Sequence, residues 1–176
     1  YQTATRTFAN NSFTHSGIVL SGGSGSQIIN NTIGYNDSNS TGVYSIVGLA
    51  SSKWYPVDVS AGTASAPTEI QGNRISSLSF TGPLAGATTT APLVIFRILG
   101  GVVNIGTVTG NIIGDSLTNA NISYSSSSST INEIIGFYIS GATTKADISN
   151  NHIGGITAAL SGTGGTGIYG IQTVTN

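Results

Sequence analysis

Few side chains in this sequence could transfer a proton or hold a metal. Six carboxylates, Asp37, Asp58, Glu69, Asp115, Glu133 and Asp147, are widely separated along 176 residues. Any acid–base pair must therefore be assembled by the fold, because no local motif supplies one. One pairing follows from the repeat alignment given below. Glu69 and Asp147 both precede an inward apolar residue, at a position where other copies carry Gln27, Thr107 and Thr173. Two strand spacings would separate them, roughly 9 to 10 Å, which is about the acid-to-base distance of an inverting glycosidase. Thr107 stands between them in this alignment, and no third acid or sugar-gripping cluster accompanies them. The expectation is two solvated surface acids and no enzyme activity.

The remaining candidates are weaker. His152 aligns with Ser12, Thr32, Arg74 and Ile112, a variable outward position, so a lone surface histidine is expected. The loop Tyr35 to Thr41 is rich in oxygen ligands, but its single carboxylate, Asp37, lacks the ligand charge of a tight Ca²⁺ site. Ser161 to Gly167 has a phosphate-loop-like glycine spacing without a Lys or a following helix, and reads as a loop. No metal and no cofactor is expected. The best candidate contact surface is Ser51 to Pro56, where Trp54, the only Trp, and Tyr55 could stack on sugars or anchor a partner. The competing reading has Trp54 folded down over a flank of the repeat.

The composition narrows what could position these residues. Charged residues make up 6%, against roughly 25% in an average soluble domain. Five Lys and Arg cannot neutralise a run of phosphates, so no nucleic-acid partner is expected. No apolar run is long enough to span a bilayer as a helix, and no membrane insertion is expected. With Cys 0 there is neither a disulfide framework nor a thiolate metal site. Good helix formers are scarce, while Ile, Val and Thr recur between Gly and Ser clusters, which predicts an all-β fold.

The chain repeats. One line reads apolar, x, Asn or Gly, Asn, x, apolar: Ile28-Ile29-Asn30-Asn31-Thr32-Ile33, Ile70-Gln71-Gly72-Asn73-Arg74-Ile75, Val108-Thr109-Gly110-Asn111-Ile112-Ile113 and Ile148-Ser149-Asn150-Asn151-His152-Ile153. Phe8 to Phe13 is an earlier copy, so the second Asn falls at Asn11, Asn31, Asn73, Asn111 and Asn151. A second line of short apolar strands alternates with the first, at Gly17 to Leu20, Gly42 to Ile46, Val94 to Ile98, Gly136 to Ile139 and Gly167 to Ile171. From these strands to the next Asn the separation is 13, 30, 16 and 14 residues, nearly constant but for one long insertion. The other arm varies freely. Strands in fixed order with elastic connections predict a solenoid. We read a parallel β-helix of about five coils, right-handed like most parallel crossovers, with variable loops on one flank. The repeated Asn residues would take the left-handed bend between inward residues and stack as a structural ladder.

The pattern Gly-Ile-Tyr-x-Ile at Gly167 to Ile171, with Ile148-Ser149-Asn150-Asn151-His152-Ile153-Gly154-Gly155-Ile156, resembles the right-handed β-helix repeats of very large secreted and cell-surface proteins of Bacteroidetes-type bacteria. The resemblance covers nearly the whole chain, apart from 47–66 and 115–132. It implies an extracellular, cell-surface location and a structural or adhesive role in a surface or filament protein, often without enzyme activity. A carbohydrate-binding or polysaccharide-cleaving β-helix is the alternative. Residues 1–176 read as one repeat segment, an excerpt of a longer chain. Thr173-Val174-Thr175-Asn176 aligns with Thr107-Val108-Thr109-Gly110, which would cut the repeat just before its ladder Asn. With no cap in view and few charges to block edge pairing, the expected partners are copies of the chain or flanking repeats, end to end. Glycans are the other candidate partner.

Overall fold

A computed structural model of the chain describes residues 4–7, 14–49, 51–83, 90–115 and 121–174. Along it run β1 (Arg6–Thr7), β2 (Thr14–Ser21), β3 (Gln27–Ile29) and β4 (Thr32–Ile33), then β5 (Tyr44–Val47), β6 (Lys53–Ser60), β7 (Thr68–Gln71) and β8 (Arg74–Ile75). Next come β9 (Leu78–Thr81), β10 (Leu93–Ile105) and β11 (Ile112–Ile113). They are followed by β12 (Ile122–Ser126), β13 (Asn132–Ile139), β14 (Thr143–Ile148) and β15 (His152–Ile153), and finally β16 (Ile156–Leu160) and β17 (Thr166–Thr173). The protein is all-β, 58% strand with no helix among the described residues, and its parallel sheets are compatible with a β-solenoid.

Every pairing between these strands is parallel. A first sheet runs β1-β5-β9-β12-β16, and a second runs β17-β13-β10-β6-β2. A third row, β3-β7-β10-β14, is joined to the second because β10 bends from one into the other. The bend falls at Gly100 and Gly101. Gly101 has φ 87°, and a Cβ there would lie 2.0 Å from the Ala61 carbonyl oxygen, so only glycine fits. The fourth sheet is β15-β11-β8-β4. Successive strands along the chain visit these rows in the same order, with β10 serving both the second and the third and the last two strands, β16 and β17, entering only the first and second.

In-register parallel strands send matching side chains to the same face, so the core is made of columns. In the first sheet Leu78, Phe80, Ile122 and Tyr124 point inward and are buried, while Ser79, Thr81, Ser123 and Ser125 alternate outward. In the second, Trp54, Leu93 and Ile134 form one column and Val57, Phe96 and Phe137 another, all at 0% exposure. Aromatic rings link the layers. Trp54 meets Phe80 edge-on at 5.8 Å, and Phe96 stacks on Phe137 at 5.0 Å, geometries that add about 0.5–1.5 kcal/mol per pair to simple burial.

The pairing corrects the repeat alignment in three places. Ile18 lies opposite Val57, not Val43, and the second sheet continues through Phe96, Phe137 and Ile171. Measured from these partners to the next ladder Asn, the arm is 13, 16, 15 and 14 residues, and the apparent 30-residue gap disappears. Tyr44 to Val47 belongs instead to the first sheet, which the alignment did not contain. Next, Asn104, and not Thr107, sits between Glu69 and Asp147. The third layer carries three extra residues between its inward Ile105 and its Asn111, where the other layers need only Gln71-Gly72 or its equivalent. Finally, Thr173 pairs with Ile139 in the second sheet, so it is not equivalent to Thr107.

Candidate functional site

The Asn row is a column of stacked amides, buried at Asn73 and Asn111 and partly exposed at Asn31 and Asn151. Asn31 donates through both its backbone N–H, at 3.0 Å, and its Nδ2, at 2.9 Å, to Oδ1 of Asn73. Asn73 does the same to Asn111, at 2.9 Å each, and Asn111 to Asn151, at 2.9 and 2.8 Å. The second Nδ2 hydrogen of Asn73 goes back to the Ile28 carbonyl, and that of Asn111 to Ile70. Asn73 and Asn111 are almost wholly buried, so these amides hold layers together and present nothing to solvent. The left-handed bend expected of them falls one residue earlier, on Asn30 (φ 56°), Gly72 (φ 64°) and Asn150 (φ 56°). Two adjacent tasks are thus divided between adjacent residues, which is why the motif reads Asn-Asn or Gly-Asn. Asn11 lies outside the described residues.

The extra residues of the third layer are held by Gln71. Its Oε1 accepts from the backbone N–H of Val108 (3.1 Å) and Thr109 (3.2 Å), and its Nε2 donates to Thr107 Oγ1, the Asn104 carbonyl and Glu69 Oε2. The same network occupies the acid considered for catalysis. Glu69 accepts from Gln71 at 2.8 Å and from Asn104 Nδ2 at 2.6 Å. Asp147 is held by Lys145 at 2.7 Å. Asn104 lies between these two carboxylates, and each is already bound to a donor of its own.

The other acids are engaged as well. Arg97 reaches Asp58 through two bonds, Nε to Oδ1 at 3.0 Å and Nη2 to Oδ2 at 2.5 Å. Arg74 bridges Tyr35 Oη (2.9 Å) and Asp115 (2.7 Å). Glu133, buried, accepts from Gln172 at 3.5 Å. Asp37 caps its own turn, accepting from the N–H groups of Asn39 and Thr41 and from the Thr41 hydroxyl. The Thr41 hydroxyl, then its N–H, lowers the carboxyl's pKa. No group of three or more His, Cys, Asp or Glu suited to a metal occurs among the described residues.

Trp54 and Tyr55 do not form an exposed contact surface. They lie in β6, a regular member of the second sheet, with Trp54 0% and Tyr55 1% exposed. Strand alternation explains both. Trp54 faces inward among Tyr44, Phe80 and His15, and Tyr55 faces outward into a separate apolar cluster with Ala91, Val94, Ile135 and Tyr138. The Arg97 guanidinium lies 4.0 Å above the Tyr55 ring, a cation–π contact. Burial pushes the Tyr55 hydroxyl up to about 12 despite the opposing Arg97 charge. Neither ring has a free face for a sugar. A groove of about 350 Å³ beside β9, β12 and β16 is lined by Thr81, Pro83, Ser125 and Leu160, with no charged or aromatic side chain among its described lining residues.

The two ends of the stack differ chemically. At the first layer, Arg6 is in register with core residue Ile46, and His15 with Trp54, so both occupy inward columns. Arg6 Nη1 approaches His15 Nδ1 at 3.4 Å, and His15 Nε2 lies 2.8 Å from Tyr44 Oη. A guanidinium only donates, so Nδ1 accepts and Nε2 carries the proton toward Tyr44. Burial, then the Arg6 charge, lowers the His15 pKa. Inward charge at this edge was not foreseen from the sequence. Phe8, expected in the first strand, lies outside the described residues. At the last layer, β17 continues the columns with Ile168 and Ile171, which are 49% and 51% exposed, whereas their partners Ile134 and Phe137 are at 0%. No family model, curated protein or solved structure matches the chain.

Proposed function

We propose that the chain is a right-handed parallel β-helix segment of about five coils, one for each strand of the first sheet, with a non-enzymatic structural or adhesive role in an extracellular surface or filament protein. The observation that carries this reading is where the reactive groups are used. Of the six acids, Asp58, Glu69, Asp115 and Glu133 bridge one layer to the next, while Asp37 and Asp147 bond within their own. Such crosslinks reinforce a stack and leave none of the six acids unengaged as a base facing a proton donor across a cleft. The cell-surface location rests on the motif resemblance, and with 6% charged residues the chain has few side chains that would block edge pairing with copies or flanking repeats. Incubating the folded chain with acidic and neutral polysaccharides tests the reading. No new reducing ends and no unsaturated products are expected; Asp147→Asn should leave folding nearly unchanged, while Glu69→Gln loses one of its two accepted bonds at a cost of about 1–3 kcal/mol. Turnover that either substitution abolishes would overturn it in favour of the polysaccharide-cleaving alternative.

A further inference from the structure

We infer that the folded chain crosslinks itself, forming an ester between the Thr107 hydroxyl and the Gln71 side-chain carbonyl, with release of ammonia and with Glu69 moving the proton. Gln71 ends β7 and Thr107 follows β10, so in the row β3-β7-β10-β14 each partner has a layer on both sides. The extra residues of the third layer supply the hydroxyl and two backbone N–H groups, and all three converge on one carboxamide. Gln71 Oε1 accepts from Val108 N–H at 3.1 Å and Thr109 N–H at 3.2 Å. Its Nε2 faces Glu69 Oε2 at 2.8 Å, Thr107 Oγ1 at 3.1 Å and the Asn104 carbonyl at 3.2 Å. This orientation is fixed, because turning the amide over would set its nitrogen against two N–H groups and its oxygen against a carboxylate. Asn104 Nδ2, 2.6 Å from Glu69 Oε1, holds the carboxylate so that Oε2 faces the Gln71 nitrogen.

Nε2 has two hydrogens for three oxygens. The carboxylate and the carbonyl only accept, whereas the Thr107 hydroxyl can turn from the nitrogen toward the carbon. An amide C–N bond is about 1.33 Å, so Oγ1 already lies within about 4.5 Å of Gln71 Cδ. A shift of roughly 1 Å brings it to the 3–3.5 Å of a near-attack position. Oγ1 then attacks Cδ, and the carbonyl electron pair moves to Oε1, where the Val108 and Thr109 N–H groups stabilise the developing charge. Glu69 takes the hydroxyl proton as general base and returns it to the nitrogen as general acid, since both oxygens flank that nitrogen. The C–N bond breaks, leaving the ester and one ammonia, with no oxidant, reductant, metal or water consumed. Ammonia is protonated and lost to solvent, which makes the step one-way. Gln71 is 5% exposed, which keeps water from competing with the hydroxyl. The reaction occurs once per chain and ties together residues 36 apart in sequence, so it is separate from turnover of any external polysaccharide.

Intact-mass spectrometry of the folded 176-residue chain reads the outcome directly, as the loss of one ammonia from the mass of the sequence. Trypsin puts Gln71 on a peptide ending at Arg74 and Thr107 on one ending at Lys145. These two peptides should be recovered linked, and mild alkali should separate them, leaving a carboxylate in place of the Gln71 amide. Ring closure at an Asn also loses ammonia, so the linked peptides decide the assignment. After dilution from urea, Thr107→Ser should still lose ammonia and Thr107→Val should not. Glu69→Gln should slow the loss at least about a hundredfold, and an unslowed loss would overturn the part given to the carboxylate. A parent chain that is folded, with slow amide exchange in β7 and β10, and keeps its full sequence mass would overturn the ester, as would an ammonia loss that persists in Thr107→Val.

Discussion

The first and last described layers are built on the same columns but filled differently, and the difference shows how few substitutions change the character of an inward column. Above Trp54 the first layer places His15, and above Ile46 it places Arg6, each satisfied locally by the other or by Tyr44. Below Ile134 and Phe137 the last layer places Ile168 and Ile171, identical in character to the core and half exposed. A stack whose interior layers are interchangeable acquires a direction from a few polar substitutions at inward positions.

The largest test of this contrast uses one column. Trp54 and Ile168 occupy equivalent inward positions, but Trp54 is enclosed between layers and Ile168 has a neighbour on one side only. Trp54→Ala should destabilise by about 3–5 kcal/mol, the range for large aromatic truncations in a core. Ile168→Ala should cost about half the usual 2–5 kcal/mol or less, because half its surface is already in water. Urea denaturation of the monomer gives both values, provided the m-value is unchanged. Equal losses would show that the last layer is covered after all.

A second contrast runs along the Asn column. Asn111→Leu removes two accepted and two donated bonds at a fully buried site, leaving Asn73 N–H and Nδ2, Asn151 Oδ1 and the Ile70 carbonyl without those partners. Each stranded buried group costs about 1–3 kcal/mol, so a loss of at least about 3 kcal/mol is expected. Among the described residues, Asn31→Leu removes only bonds that Asn31 donates from its side chain, at a partly exposed position, and should cost about 1 kcal/mol. Comparable losses would mean that the column does not act as a graded stack from first layer to last.

The Asn column was legible in the sequence because its signature is chemical as well as periodic: an amide flanked by Ile or Val at fixed offsets. The first sheet was not. Its strands, such as Leu78-Ser79-Phe80-Thr81, are two to five residues long and most alternate with Ser and Thr, so they read like loops among many Ser-rich loops. β6 falls in the apparent insertion because Gly42 to Ile46 takes its place in the alignment; Pro56 stands where β2 has Gly17, and a proline within a strand argues against strand. It is tolerated there because Pro56 falls between the registered pairs Ser16–Tyr55 and Ile18–Val57. The misassignment of Thr107 had a detectable cause: counting from the inward Ile to Asn gives three residues in three layers and six in the third. The burial of Tyr55 could not be read from its own strand, because Val94, Ile135 and Tyr138 reach it from neighbouring layers.

The smallest expected effect concerns acid, and it should appear at the first layer alone. His15 is held neutral in the fold, with Nδ1 facing Arg6 from β1, Nε2 facing Tyr44 from β5, and the Trp54 ring beside it from β6. Its pKa is lowered from the ordinary 6.5, chiefly by burial and then by Arg6. A histidine depressed in the folded state takes up its proton more readily when unfolded, so its contribution is whole above 6.5. That contribution falls as the pH drops from 6.5 to the lower folded value. Protonation at Nδ1 would also replace an acceptor with a donor facing the guanidinium. Lowering the pH from 7.5 to about 5 should therefore speed amide exchange in β2 relative to β17, after correction for the intrinsic pH dependence of exchange. In His15→Gln the ratio of β2 to β17 protection should no longer change with pH. An unchanged ratio in the parent chain, or loss of protection first in β17, would show that the polar first layer is not the acid-sensitive end.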